Sequence, residues 1–330
     1  FASGESAEAQ LDGFTITGGS GTVESSDDGG SPCGYEDTEV CTIYTDTYRG
    51  GGIYMDGSSP MLSNLVVMGN ETPEYDYATI SSLDVMYVYS YGGGIYAGNS
   101  NAELQTVTLS DNQADAGGGI YADSNSSLSL SWVVLDGNTA SSGGGVGTEG
   151  SISAINSIVV NNSATNAGNG IGGAGVDIES YDGDGDGDAE SGGVFYATNV
   201  AVVGNDGTGS IYISEFGSAD IANSILTENY DGDLIDGELG ATLSVSYTNL
   251  YNGPVNPYGG PFNDSNCSAG CLSEDPAFVA WSDDDDYSND DLHLDAASNC
   301  IDAGNPSAAF FDTDGTPNDM GAYGGPYGDW

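Results

Sequence analysis

"GGGIYADSNSSLSLSWVVLDGN" fills Gly117 to Asn138. Nearly the same phrase stands at Gly50–Asn70, "GGGIYMDGSSPMLSNLVVMGN", and at Gly92–Asn112, "GGGIYAGNSNAELQTVTLSDN". Gly92, Gly117, Gly143 and Gly168 follow at steps of 25, 26 and 25 residues. An apolar residue three positions before an asparagine recurs at Val67/Asn70, Leu109/Asn112, Leu135/Asn138, Val159/Asn162, Val202/Asn205 and Leu226/Asn229. The asparagine steps are 42, 26, 24, 43 and 24, so two units carry about 17 extra residues, within 71–91 and 181–193.

Inside a unit the pattern alternates. Leu128, Leu130, Trp132 and Val134 fall on one face of an extended chain, and Leu104, Thr106 and Thr108 alternate with Gln105, Val107 and Leu109. Period two predicts strands, and the glycine clusters would break helices. A strand unit of about 25 residues cannot bury its own face, but stacking one unit on the next makes a continuous core. The expectation is an all-β parallel solenoid rising about 4.8 Å per coil. Glycine triplets permit sharp corners. Asparagine at a repeated turn tolerates left-handed geometry and can form a ladder of side-chain amides. Tyr54, Tyr96 and Tyr121 share one position, either as a stacked ladder or simply as strand formers.

The phrase "GGGIYMDGSSPMLSNLVVMGN" resembles the right-handed parallel β-helix repeats of pectin-lyase-like proteins, in a secreted bacterial branch, over roughly residues 8–265. Residues 291–330, with H-L, I-D-A-G, D-T-D-G and G-A-Y-G elements, resemble the terminal segment of such proteins. The resemblance implies a single-stranded right-handed β-helix of about ten coils over 1–265, with insertions near 71–91 and 181–193. Residues 266–330 would form a terminal coil and capping segment. "AEAQLDGFTITGG" would supply an early coil through Leu11, Phe14 and Ile16. The resemblance also implies a secreted or cell-surface life, but no single chemistry.

Composition narrows the partners. The chain has 330 residues, 51 acidic and one basic, Arg49, for a formal charge of -50. No basic surface exists to meet phosphates, which excludes nucleic acid as a partner. An anionic membrane surface is disfavoured too, and no apolar stretch approaches the ~20 residues of a membrane span. Self-repulsion at this charge calls for counterions, either bound divalent metal or high external salt. Cys33/Cys41 and Cys267/Cys271 have the spacing of local disulfides, with no histidine near either pair. Cys300 is left as a buried thiol or as a competitor for the "CSAGC" pair. Local disulfides point to an oxidising compartment outside the cytoplasm. "FASGESAEAQ" has no signal-peptide character.

Catalysis is not expected, and no catalytic or organic-cofactor residue is assigned. Lyases of the family need basic catalysts, and Arg49 is the sole candidate. Hydrolases need a carboxylate pair, yet the acids cluster in loops and no pair is evident at a repeated strand position. His293 matches the terminal motif and is expected to be structural.

The acidic loops point to calcium. "YDGDGDGDAE" places Asp182, Asp184 and Asp186 before Gly187, with Asp188 and Glu190 following, as in the opening of a calcium loop. Gly193 stands at the twelfth position, so the bidentate glutamate of a full EF-hand is missing. "FFDTDGTPND" offers Asp312 and Asp314, with Asp319 nearby, as a second set or as a turn. The expected function is a secreted, non-catalytic structural protein stabilised by calcium, for which head-to-tail self-association is open. The alternatives are a calcium-dependent adhesin that binds extracellular polysaccharide through the tyrosine-rich 71–91 insertion, and a polysaccharide lyase or hydrolase.

Overall fold

The computed structural model describes residues 4–6, 8–27, 31–32, 40–41, 43–79, 85–165, 172–182, 189–229, 232–282, 284 and 286–328. Among these the chain is all-β, apart from single 3-10 turns at Asp264–Asn266 and Tyr287–Asn289. Two long parallel sheets dominate it. The first passes through Gln10–Asp12, Met61–Met68, Glu103–Ser110, Ser127–Asp136, Ser151–Val160, Val194–Val203, Ser218–Ala222, Thr242–Ser246 and Cys267–Ala269. The second passes through Ile53–Asp56, Ile95–Gly98, Ile120–Ala122, Val146–Thr148, Gly173–Ile178, Gly209–Ile213 and Asp233–Gly237. In both, each strand pairs with its counterpart from the next repeat, an arrangement compatible with a parallel β-helix.

Register places like on like. Leu62, Leu104, Leu130, Ala154, Ala197, Ile221 and Val245 form one column of the first sheet. Val67, Leu109, Leu135, Val159, Val202, Leu226 and Leu250 form another. Ile53, Ile95, Ile120, Val146, Val176, Ile211 and Ile235 form a column of the second sheet. All three columns belong to one buried cluster. Each large aliphatic side chain there contributes roughly 1.5–3 kcal/mol by leaving water.

Strict alternation fails at one point in every long strand. Leu128, Leu130, Val133 and Leu135 are buried, whereas Trp132 and Val134 are only half-buried. Trp132 has φ 56°, so the strand bends through the left-handed region and the inward side is reset. The same bend recurs at Asn64, Thr106, Asn156, Asn199, Asn223 and Tyr247. One glycine landmark also shifts. The Gly143 N–H donates to the carbonyl of Gly173, and Gly168 lies outside the described residues. Gly117 illustrates why the corner needs glycine: φ is +63°, and a Cβ would lie 2.3 Å from the Ile120 carbonyl oxygen.

The asparagine ladder is formed. Nδ2 of Asn70, Asn112, Asn138 and Asn162 donates to Oδ1 of Asn112, Asn138, Asn162 and Asn205, at 2.9, 2.9, 3.0 and 3.0 Å. These asparagines do not take the left-handed conformation expected of them. The residue before each does: Gly69, Asp111, Gly137, Asn161 and Gly204 have φ between 54° and 63°. That turn leaves the following amide pointing inward along the stack.

Three further pieces attach to this body. Leu11 and Ile16 pack against the core, while Phe14 is 57 % exposed at the sheet edge instead of joining them. The 71–91 insertion supplies Asp76–Thr79 and Val85–Tyr91 to a side sheet that also holds Ile43–Arg49 and Thr22–Asp27. The C-terminal segment lies along the flank of the first sheet. Leu292, Ala322, Phe278, Trp281 and Tyr323 cover Ile158, Val160, Ala201 and Val203, and Met320 and Cys300 pack on Ile225. The outward positions of those strands are apolar, so a covering segment removes them from water.

Candidate functional site

One outward column of the second sheet gathers unusual side chains. Tyr54, Tyr96 and Tyr121 stack at 5.7 and 6.0 Å between ring centroids, with interplanar angles of 15° and 4°. Tyr91 leans on Tyr121 at 4.8 Å. Arg49, the chain's single basic residue, places its guanidinium 5.4 Å from the Tyr96 ring centroid and forms an ion pair with Glu24. Arg49, Tyr91, Tyr96 and Tyr121 line a pocket of about 220 Å³ together with Thr47, Asp123 and Glu149. Burial pushes the Tyr91 hydroxyl up to about 12 and raises Tyr96 and Tyr121 as well.

The column continues through Gly147 to Asp177, Tyr212 and Asp236. Gly147 leaves a gap that the Glu179 carboxylate fills: Oε1 lies 3.3 Å from where a Gly147 Cβ would stand. Tyr121 Oη donates to Glu179 Oε2 at 3.2 Å, and Ser142 Oγ donates to Oε1 at 3.4 Å. Asp177 is 2 % exposed, and its Oδ1 has no hydrogen-bond partner. Burial raises the Asp177 carboxyl, with Glu238 adding to it. Burial likewise raises Glu179, whose neighbours Asp177 and Glu149 push the same way. Such a pair cannot carry two charges cheaply, so it retains a proton near neutrality. The expectation that acids would be confined to loops is therefore incorrect here. Asp177 sits mid-strand at the position that holds tyrosine in the next repeat, Tyr212, and in three earlier ones, Tyr54, Tyr96 and Tyr121. "GVDIE" against "GIYAD" was the available signal, hidden by the irregular step into that repeat.

The acids singled out from sequence fall into two places. Asp182 and Glu190 are exposed beside a short hairpin in which Ser180–Tyr181 pairs antiparallel with Ser191–Gly192. Asp184, Asp186 and Asp188 lie outside the described residues. Near the C-terminus, one carboxylate oxygen from each of Asp302, Asp312 and Asp319 lies within 4.8 Å of the others. Asp319 Oδ1 accepts the Asp302 N–H at 2.7 Å, and the Asp312 carboxylate accepts the N–H groups of Asp319 and Gly325. Burial pushes Asp312 up to about 6, with the Asp319 charge adding to it. Asp314 is not part of this group. Its Oδ1 caps the turn by accepting the Thr316 N–H and hydroxyl at 2.9 and 2.7 Å, which lowers its pKa. Three converging hard oxygens suit calcium, with carbonyls and water completing the shell. Asp302 was not foreseen, because it stands in the I-D-A-G element ten residues before Asp312.

Cys267 and Cys271 form the expected disulfide. The other expected pair, Cys33 with Cys41, is not among the bonds the structure describes. Cys33 lies outside the described residues, and Cys41 is described only through its backbone, in the strand Val40–Cys41 that runs antiparallel to Ser31–Pro32. Cys300 is a free thiol, 0 % exposed, and burial raises it to about 11. It therefore does not compete for the "CSAGC" pair. His293 stacks on Tyr323 with centroids 3.7 Å apart, and its Nδ1 bonds Asp291 Oδ1 at 2.6 Å. Among the described residues no helix is long and apolar enough to cross a membrane. In comparisons with known proteins, no family model matches the chain and no curated protein matches it.

Proposed function

We propose that the chain is a right-handed parallel β-helix of the pectin-lyase-like kind, a non-catalytic structural protein working outside the cell with calcium on its acidic surface. The observation that carries this reading is the amide ladder from Asn70 to Asn205, which ties five successive repeats into one body without interruption. A rod built this way is stiff because each repeat is bonded to its neighbours through backbone and side chain alike. Two facts support the non-catalytic part. Arg49 is engaged by Glu24 and Tyr96, and Asp177 is almost wholly withdrawn from solvent. The Cys267–Cys271 disulfide supports an extracellular setting.

At a formal charge of -50, cations must lower the repulsion, and Asp302, Asp312 and Asp319 are the residues that would hold calcium. The test is thermal unfolding with calcium and with excess chelator, at low and at molar sodium chloride. Calcium is expected to raise Tm at both salt levels by mass action on the native state, and Asp319→Asn to remove most of that gain. Stabilisation by molar salt alone would mean that the charge needs only screening. Head-to-tail stacking would join the edge strands Gln10–Asp12 and Cys267–Ala269 of successive molecules. Sedimentation showing only monomer at high concentration with calcium would sink that part.

A further inference from the structure

The described strands of the 71–91 insertion, Asp76–Thr79 and Val85–Tyr91, pair antiparallel and form a flap beside the body. Asp115 ties it down. Its carboxylate accepts the N–H groups of Tyr75 and Ser90, and its own N–H donates to Ser90 Oγ at 2.9 Å. Between the flap and the ladder that runs from Gln113 to Thr139 lies a cleft of about 350 Å³. Tyr75 and Tyr89 line it, 51 % and 36 % exposed, with ring centroids 5.4 Å apart and planes tilted by 50°. Glu74 and Asp115 add two carboxylates, and Gln113 Nε2 donates to Glu74 Oε1 at 2.6 Å. None of the described residues that line the cleft is basic.

The molecule already shows what a tyrosine face beside a carboxylate holds. At Arg49 a guanidinium lies over the Tyr96 ring while pairing with Glu24. The flap cleft repeats the ring and the carboxylate but has no cation of its own. We propose that the Tyr75–Tyr89 cleft binds a guanidinium or ammonium group presented by a basic polypeptide. The charge of -50 draws cations toward the protein and repels anionic sugars and nucleic acids. Aromatic faces then select an organic cation over a hydrated metal ion. A second copy of this chain is excluded as the occupant, because its one basic residue is already engaged. A neutral glycan could stack on the same rings and donate its hydroxyls to the carboxylates, but it would gain nothing from the long-range attraction of a charge of -50.

The test is calorimetric titration of the full chain with hexa-arginine at roughly physiological salt, where diffuse attraction is largely screened. Tyr75→Ala and Tyr89→Ala leave the charge unchanged. Each is expected to weaken binding by roughly three- to tenfold, while Tyr75→Phe binds like the parent. Tyr196→Ala, which removes a tyrosine 48 % exposed on the strand Val194–Val203, is expected to change nothing. Equal affinity in all four variants would overturn the proposal, since only the overall charge would then be at work. Binding of cellohexaose that is lost in Tyr75→Ala, with hexa-arginine unaffected, would overturn it in favour of a glycan site.

Discussion

Asn138 closes four hydrogen bonds with one side chain. Its Nδ2 donates to the Leu109 carbonyl and to Asn162 Oδ1, and its Oδ1 accepts the backbone and side-chain N–H of Asn112. It is 0 % exposed, so no water can substitute. Asn138→Ala removes all four bonds and leaves the buried Asn112 backbone N–H without its acceptor, although Asn162 Oδ1 keeps the backbone N–H of residue 138 and Asn112 Nδ2 keeps the Val67 carbonyl. Each bond lost is worth about 0.5–1.5 kcal/mol and an unpaired buried group about 1–3 kcal/mol. The expected loss in chemical denaturation is at least about 3 kcal/mol, against less than about 0.5 kcal/mol for the exposed Asn125→Ala. Equal losses in the two variants would mean that the ladder is incidental. This ladder was legible because asparagine recurs at a fixed offset from an apolar residue. A second asparagine column, at the strand bend, was not. Thr106, Trp132 and Tyr247 interrupt Asn64, Asn156, Asn199 and Asn223 there, so the shared left-handed backbone leaves no constant letter.

Among the elements, the C-terminal segment shows best how local sequence announces a partner. "IVV" at 158–160 and "VAVV" at 200–203 are continuous apolar runs, unlike the alternating "QTVTLS" at 105–110. A strand apolar on both faces has something on both faces. That second face is covered by the described residues of the C-terminal segment. Its anchor is a reciprocal amide pair. Asn199 Nδ2 donates to Asn318 Oδ1 at 3.0 Å, and Asn318 Nδ2 donates to Asn199 Oδ1 at 3.1 Å. Asn156 Nδ2 also donates to the carbonyls of Ala322 and Gly324. Asn318→Ala removes the donor to Asn199 Oδ1 and to the Phe310 carbonyl, while Asn199 Nδ2 keeps the carbonyls of Asn223, Asp319 and Gly321, at an expected cost of about 1–3 kcal/mol. Hydrogen exchange gives the sharper readout. Amides of Asp291–Leu294 and of 318–325 should lose protection while those of Ser127–Asp136 keep it, as expected of a separable cooperative unit. Uniform loss of protection would show that the segment and the sheets unfold as one.

For the whole molecule, charge decides how stability varies with pH. The buried and half-buried carboxyls have folded pKa values above their unfolded ones: Asp136 and Asp312 at about 6, with Asp177 and Glu179 also raised by burial. The folded state then binds more protons than the unfolded state at pH values between the two, so stability falls as pH rises. The stability linked to these groups is fully present below the ordinary carboxylate range near 4. It is lost as pH climbs through about 6 for Asp136 and Asp312, and at higher pH for the buried pair. Surface repulsion acts in the same direction, but salt screens it, whereas a buried pair is screened far less. Asp177→Asn separates the two contributions. It mimics the neutral acid and keeps an acceptor for the Gly173 N–H. Each tenfold difference in proton affinity between the folded and unfolded states corresponds to about 1.4 kcal/mol. The variant is expected to match the parent near pH 5 and to unfold at a higher Tm at pH 8, with the difference surviving in molar sodium chloride. A parallel Tm–pH curve for the variant, or a difference that vanishes in salt, would place the pH dependence on the surface rather than in the Asp177–Glu179 pair.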